Sequence, residues 1–185
     1  MATLAIFAAC NNISKKSETP ATANQATTQD TIVYEHEYLV KVGDMAPDFT
    51  LKYTDGTEFT LSALRGKIVM LQFTASWCGI CRGEMPHIES RIWQPHKDNA
   101  DFVLVGVDRE EPCEVVEEYT AKIGTTYPML LDEKGDVFAS YALRKSGITR
   151  NVLIDRDGRI IKLTRRFVEP EFNDLVATID SLLAM

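Results

Sequence analysis

The chain has 185 residues, 45% of them hydrophobic and 25% charged, which suits one globular domain with a real core and a tail. A formal net charge of −7 disfavours phosphate backbones and anionic lipid surfaces, so no nucleic-acid partner is expected. No apolar run approaches the ~18 residues of a spanning helix. The four cysteines (Cys10, Cys78, Cys81 and Cys113) include only one close pair, too few for a disulfide-stapled mini-protein or a paired-thiolate zinc site; no metal is expected.

The first thirty residues are set apart from the fold. A short apolar leader ends in Phe7-Ala8-Ala9-Cys10, which resembles the lipobox of a bacterial lipoprotein signal. This makes residues 1–9 a signal segment and Cys10 the lipidated residue, although the leader lacks a basic start. Residues 10–30 are rich in Ser, Thr, Asn, Gln, Lys and Ala and hold no aromatic, so they read as a tether. A tether behind a lipidated cysteine would hold a domain spanning 31–185 near a membrane.

Within the domain, Thr31 to Val42 is β-prone and is expected to add an edge strand. Phe49–Tyr53 and Glu58–Leu61 flank Asp55-Gly56, a hairpin signal. Lys67–Thr74 is nearly continuous apolar, as in a strand covered on both faces. Past Cys78 the period becomes helical: Cys81, Met85, Ile88 and Ile92 share a face, Pro86 should kink the helix and Pro95 should end it. Phe102–Val107 predicts a second buried strand, and Pro112 opens a helix that Gly124 stops. A strand at Tyr127–Leu131 and a short helix over Val137–Leu143 come next. Asn151–Asp155 and Arg159–Thr164 flank Asp157-Gly158, a second hairpin signal, and a helix from Pro170 carries Phe172, Leu175, Val176, Ile179, Leu182 and Leu183. Strands alternating with helices predict an α/β sandwich on a mixed sheet.

Trp77-Cys78-Gly79-Ile80-Cys81 falls where a buried strand gives way to a helix. Cysteines at i and i+3 face one side of a first helical turn and can close a disulfide with little backbone movement. Cys78 at the helix N-terminus is the expected attacking thiolate, and Cys81, one turn in, the resolving thiol. A half zinc site or chance spacing is the bland alternative. The redox pair needs no cofactor beyond its own sulfurs.

The stretch from Gln72 to Pro86 resembles the active-site segment of the thioredoxin superfamily, and it is most similar to the membrane-tethered TlpA/ResA-type reductases. Ala46-Pro-Asp-Phe49, Asp55-Gly56 and Leu64-Arg-Gly-Lys67 resemble that family's hairpin region, and Val152-Leu-Ile-Asp-Arg-Asp-Gly158 its late hairpin. The resemblance implies a thioredoxin-like three-layer α/β/α sandwich with a mixed sheet and an N-terminal β-hairpin extension. It also implies exchange with protein disulfides, including those of apocytochromes c, and a monomer facing the periplasm, supplied by a membrane thiol–disulfide donor.

Three positions depart from the common pattern. Ile80 replaces the usual proline between the cysteines, so redox poise cannot be carried across. Gln72 stands where thioredoxins keep an aspartate. Glu84, matching a carboxylate of the TlpA/ResA group at i+3 from Cys81, is the candidate proton acceptor for that thiol; a solvated helix-face glutamate is the alternative. Thr149, after Gly147-Ile148, stands where the family has a cis-proline, and a cis Ile148–Thr149 bond is expected. Trp77, Gly79, Ile80, Ile148 and Thr149 make up the expected active-site loops. Arg150 is an anion-binding candidate or a surface ion-pair partner, and Cys113 is a third redox thiol or an inert one. His36 and His87 read as ordinary surface or core histidines.

Two other functions compete. A peroxiredoxin needs proline and Thr or Ser ahead of its cysteine, yet Ala75 stands three before Cys78. A Cu(I) chaperone would hold copper between Cys78 and Cys81 with help from Met85 or His87.

Overall fold

A computed structural model describes Met1 and residues 35–184. The signal and tether expectations, Cys10 among them, lie outside the described residues.

Among the described residues, seven strands form one mixed sheet in the order β2-β1-β5-β4-β3-β6-β7. The hairpin signal around Asp55-Gly56 gives β1 (Thr50–Tyr53) and β2 (Glu58–Thr60). Asp55 accepts from the Thr57 amide at 2.8 Å, and Gly56 takes φ 85, a conformation that favours glycine. The hairpin joins the main sheet through antiparallel pairing of β1 with β5 (Met129–Asp132). At the centre lie β3 (Ile68–Thr74) and β4 (Phe102–Arg109), paired in parallel, with β5 parallel to β4. In the second hairpin, β6 (Arg150–Ile154) pairs antiparallel with β3 and β7 (Ile160–Arg165) antiparallel with β6.

Every residue of β3 is buried, which explains its nearly continuous apolar run; Gln72 and Thr74 are the buried polar exceptions. Ile68 and Met70 face one layer, with Met85, Ile88 and Ile92 from α1 (Gly79–Ile88) and its continuation, Val116 and Tyr119 from α3 (Cys113–Ile123), and Phe172, Leu175 and Ile179 from the last helix, α5 (Glu169–Leu183). Val69, Leu71 and Phe73 face the other, where α4 (Asp136–Tyr141) packs through Phe138 and Tyr141. The alternation along one strand thus builds both sides of the sandwich.

Pro86 does not end its helix. Without an amide hydrogen it cannot bond back along the ladder, and a wide π turn over Glu89–Trp93 follows before the chain resumes as α2 (Gln94–His96). The Glu89 amide reaches both the Met85 and Pro86 carbonyls. Pro95 lies in the first turn of α2, where a missing amide costs nothing, so the helix runs one residue past it.

The expected edge strand before Val42 is absent from residues 35–42. Glu35–Glu37 form a 3-10 turn in which His36 and Glu37 have φ of 51 and 64, incompatible with extended pairing. Among the described residues Tyr38 makes a single bridge, to Ala142. Residues 31–34 of that expectation lie outside the described residues.

Phe73 sits in the middle of the sheet, fully buried, its ring edge-on to Phe138 at 5.6 Å. Phe73→Ala is expected to lower unfolding free energy by about 3–5 kcal/mol, read from urea denaturation, because the sheet cannot collapse into the void.

Candidate active site

The site grows from the end of β3. Ala75 is fully buried, and the loop that follows is fixed by a carboxylate the sequence did not single out: Glu111 accepts from the Ser76 amide and hydroxyl, both at 2.6 Å. Arg82 donates to the Ser76 carbonyl at 3.0 Å. These contacts hold Trp77 and Cys78 at the mouth of α1. Trp77 is 57% exposed and Ile80 45%, an apolar rim on either side of the cysteine.

Cys78 and Cys81 are joined in a disulfide with their Cα atoms 5.3 Å apart. Cys78 caps the helix, its sulfur 3.1 Å from the Cys81 amide, which donates to it. A cap at a helix N-terminus meets unpaired amides and the positive end of the macrodipole, a setting that favours a thiolate once the bond is reduced. Cys78 retains 7% exposure and Cys81 none.

The third wall is the loop before β6. Antiparallel register sets Phe73 against Arg150, which brings Thr149 over the sulfurs. Its Oγ1 lies 3.2 Å from Cys78 Sγ and 3.3 Å from Cys81 Sγ. Disulfide sulfurs carry no hydrogen, so the hydroxyl donates. Ile148 is buried behind it. The Ile148–Thr149 bond is trans, against expectation. Without proline the cis form carries its full cost of about 3–4 kcal/mol.

Arg150 is not an open anion site, and its ion pair, from Nη2 to Oε2 of half-exposed Glu37 at 3.7 Å, is made from the interior rather than from the surface. It is wholly buried, donating to the carbonyls of Gly147 and His36 and to Ser146 Oγ, with its guanidinium 4.3 Å from the centre of the Tyr38 ring. That aromatic face and those acceptors compensate its lost hydration.

Glu84 is buried on the inner face of α1 rather than solvated. Asn151 donates to its Oε1 at 2.7 Å, and its Oε2 has no hydrogen-bond partner among the described residues. Burial pushes its carboxyl up to about 7, against the opposing pull of the amides of Asn151 and Gln72. Gln72, also buried, accepts from the Tyr127 hydroxyl. Asp108, at the end of β4, is pushed up to about 8 by burial and by neighbouring Glu111. Asn151, Glu111 and Asp108 escaped notice in the sequence. For Glu111 the one signal available was position, since residues past the carboxyl ends of parallel strands gather at sites in such sheets, whereas Asn151 and Asp108 lie inside β6 and β4.

Cys113 opens α3 and donates to the Thr54 carbonyl at 3.4 Å, with its thiol raised by desolvation and by Glu117 and Glu114. It is a free cysteine on the hairpin side of the sheet. The residues kept for a copper reading are engaged elsewhere. Met85 accepts from the Tyr119 hydroxyl at 2.8 Å, and the His87 ring stacks on Phe167 at 4.7 Å. His36 is exposed and contributes its carbonyl to Arg150. No cluster of three or more His, Cys, Asp or Glu suited to a metal occurs among the described residues.

A dithiol pair capping a helix at the end of a central strand, faced by the loop before an antiparallel hairpin, defines a thioredoxin-fold thiol–disulfide site. The profile of the Redoxin family matches residues 41–179. The chain is 33% identical over 124 residues to the thiol-disulfide oxidoreductase ResA of Geobacillus thermodenitrificans, covering 67% of this chain and 69% of that protein. It is 30% identical over 143 residues to ResA of Halalkalibacterium halodurans, covering 75% and 78%. Among solved structures, a candidate protein disulfide isomerase from Bacteroides thetaiotaomicron superposes with a TM-score of 0.78 at 60% identity, over 80% of this chain and 94% of that one. A candidate thiol:disulfide interchange protein DsbE from Chlorobium tepidum superposes with a TM-score of 0.65 at 26% identity, over 78% and 99%. The chain belongs to the Redoxin family and, within it, to the ResA-type thiol–disulfide oxidoreductases.

The raised Glu84 carboxyl has a measurable consequence. A carboxyl that binds its proton more tightly in the fold contributes fully below its unfolded value of 4.5 and loses that contribution as pH rises through about 7. Glu84→Gln should therefore gain stability over wild type across that window, on the order of 3 kcal/mol, in urea titrations run at each pH.

Proposed function

We propose that the protein works as a reductase of protein disulfides in the bacterial cell envelope, held to the membrane by a lipid on Cys10 and recharged by a membrane thiol–disulfide donor. The unequal burial of two bonded sulfurs is the observation that supports this reading most directly. Cys78 keeps a small opening beside exposed Trp77 and Ile80, while Cys81 has none. A substrate sulfur can meet only the first.

In the reduced enzyme the Cys78 thiolate attacks one sulfur of the substrate disulfide. A mixed disulfide forms and the other substrate sulfur leaves as a thiolate. Cys81 then loses its proton and attacks Cys78 Sγ, which closes the Cys78–Cys81 bond and expels the second substrate thiolate. Two electrons pass from the dithiol to the substrate, with no group needed beyond the two sulfurs. Glu84 is proposed as the acceptor of the Cys81 proton. It stands one turn along α1, buried, with one oxygen held by Asn151 and a carboxyl poised near neutrality. Trp77, Gly79, Ile80, Ile148 and Thr149 line the exchange, and apocytochromes c are the proposed substrates. The exchange requires a single copy of the chain. A peroxide-reducing role finds no support at Ala75, where that chemistry needs a hydroxyl.

Cys78→Ser should abolish reduction of a model protein disulfide, whereas Cys81→Ser should accumulate the mixed disulfide, seen on non-reducing gels. Full activity in Cys78→Ser would overturn the mechanism. Glu84→Gln should remove a limb near neutral pH from the pH–rate profile of mixed-disulfide resolution, and an unchanged profile would remove Glu84 from the scheme. Cys10→Ser should move the protein from the membrane to the soluble fraction of envelope extracts.

A further inference from the structure

Thr149 occupies the position at which the resembling family carries proline, a residue with neither a hydroxyl nor an amide hydrogen. Here the side chain is 2% exposed, and among the described residues its hydroxyl has no partners except the two sulfurs, at 3.2 and 3.3 Å. The backbone that carries it is pinned, since its carbonyl accepts from the Arg166 amide at 3.1 Å and the next residue, Arg150, is locked in the interior.

We propose that the Thr149 hydroxyl is a switching hydrogen-bond donor that serves whichever of the two sulfurs is anionic during exchange, and that it thereby shifts the equilibrium toward the dithiol. The inference rests on the exchange scheme above and adds a residue to it. A disulfide sulfur is a weak acceptor, while a thiolate is a charged one, and charge-assisted hydrogen bonds are the stronger class. The hydroxyl therefore stabilises the reduced, ionised state more than the bonded state. Before attack it points to Cys78 Sγ, beside the Cys81 amide that donates to the same sulfur. Once Cys78 is tied into the mixed disulfide and Cys81 has given up its proton, rotation about one side-chain bond turns the hydroxyl to Cys81 Sγ. No proton leaves Thr149 at any step. It moves the stabilisation from the attacking sulfur to the resolving one, over a difference of about a tenth of an ångström in reach.

The test compares full-length wild type with Thr149→Val and Thr149→Ser. Thiolate formation in the reduced proteins is followed by ultraviolet absorbance against pH. The dithiol–disulfide ratio is measured by alkylation after equilibration with glutathione buffers. The charged groups on the surrounding elements, Arg82 and Glu84 on α1, Glu111 before α3 and Arg150 in β6, are the same in all three proteins. Differences therefore report the hydroxyl. In Thr149→Val the Cys78 titration should move up by about one pH unit, and the equilibrium should shift about tenfold toward the disulfide, roughly 30 mV more reducing. Thr149→Ser should match wild type in both. If the valine protein does not fold, Thr149→Ala, which removes the hydroxyl without refilling the space, gives the same readouts. A hydroxyl-free variant that titrates and equilibrates as wild type would overturn the proposal, as would a serine variant displaced as far as the valine one. Neither readout requires substrate turnover, so the outcome stands apart from that of Cys78→Ser, which tests the exchange scheme itself.

Discussion

The antiparallel pairing of β6 with β3 is the constraint on which the site depends. β3 alone delivers the cysteines to the mouth of α1, but it supplies nothing to face them. Setting Phe73 against Arg150 places the residue before β6 level with the loop after β3, so Thr149 meets both sulfurs. A slip of one residue would turn Thr149 away and drive Arg150 outward, because side chains alternate between the two faces of a strand. Arg150 resists such a slip. Its buried guanidinium is satisfied where the Gly147 and His36 carbonyls, Ser146 and the Glu37 carboxylate converge.

The layer beneath the sulfurs is unusually polar for a core. Gln72, Glu84, Asp108 and Asn151 are all buried on or against the central strands. Several of their atoms, including Glu84 Oε2 and both Asp108 oxygens, have no hydrogen-bond partner among the described residues. Such groups oppose folding. Their tolerance is intelligible beside a reaction that must pass protons to and from buried thiols, where carboxyls raised toward neutrality are useful. The apolar alternation of Val69, Leu71 and Phe73 on the other face supplies compensating burial from the same strand.

Much of this architecture was legible in the residues. The nearly continuous apolar run of β3, the Asp-Gly turns and the cysteine spacing each have a local physical cause, and each appears where the pattern placed it. What the sequence could not show arises between distant segments. Glu111 reaches Ser76 across 35 positions, and Asn151 reaches Glu84 across 67. No periodicity encodes such a pair. Arg150 reads as a surface charge because arginine usually is one, and only the closure of the Tyr38 turn over it reverses that reading. The strand expected before Val42 failed for a related reason. β propensity favours an extended chain, but the positive φ at His36 and Glu37 brings the His36 carbonyl to Arg150.

The clamps on the two loops have one further consequence. Ser76 is gripped by Glu111 on one side of the sulfurs and Thr149 is backed by Arg150 on the other, so the enzyme offers a preorganised aperture rather than a pliable one. The conformational entropy lost on docking then falls to the incoming polypeptide. Extended, locally unstructured cysteine segments fit such a slot with the least distortion, whereas a disulfide recessed in a compact domain must first be loosened by fluctuations of its own host.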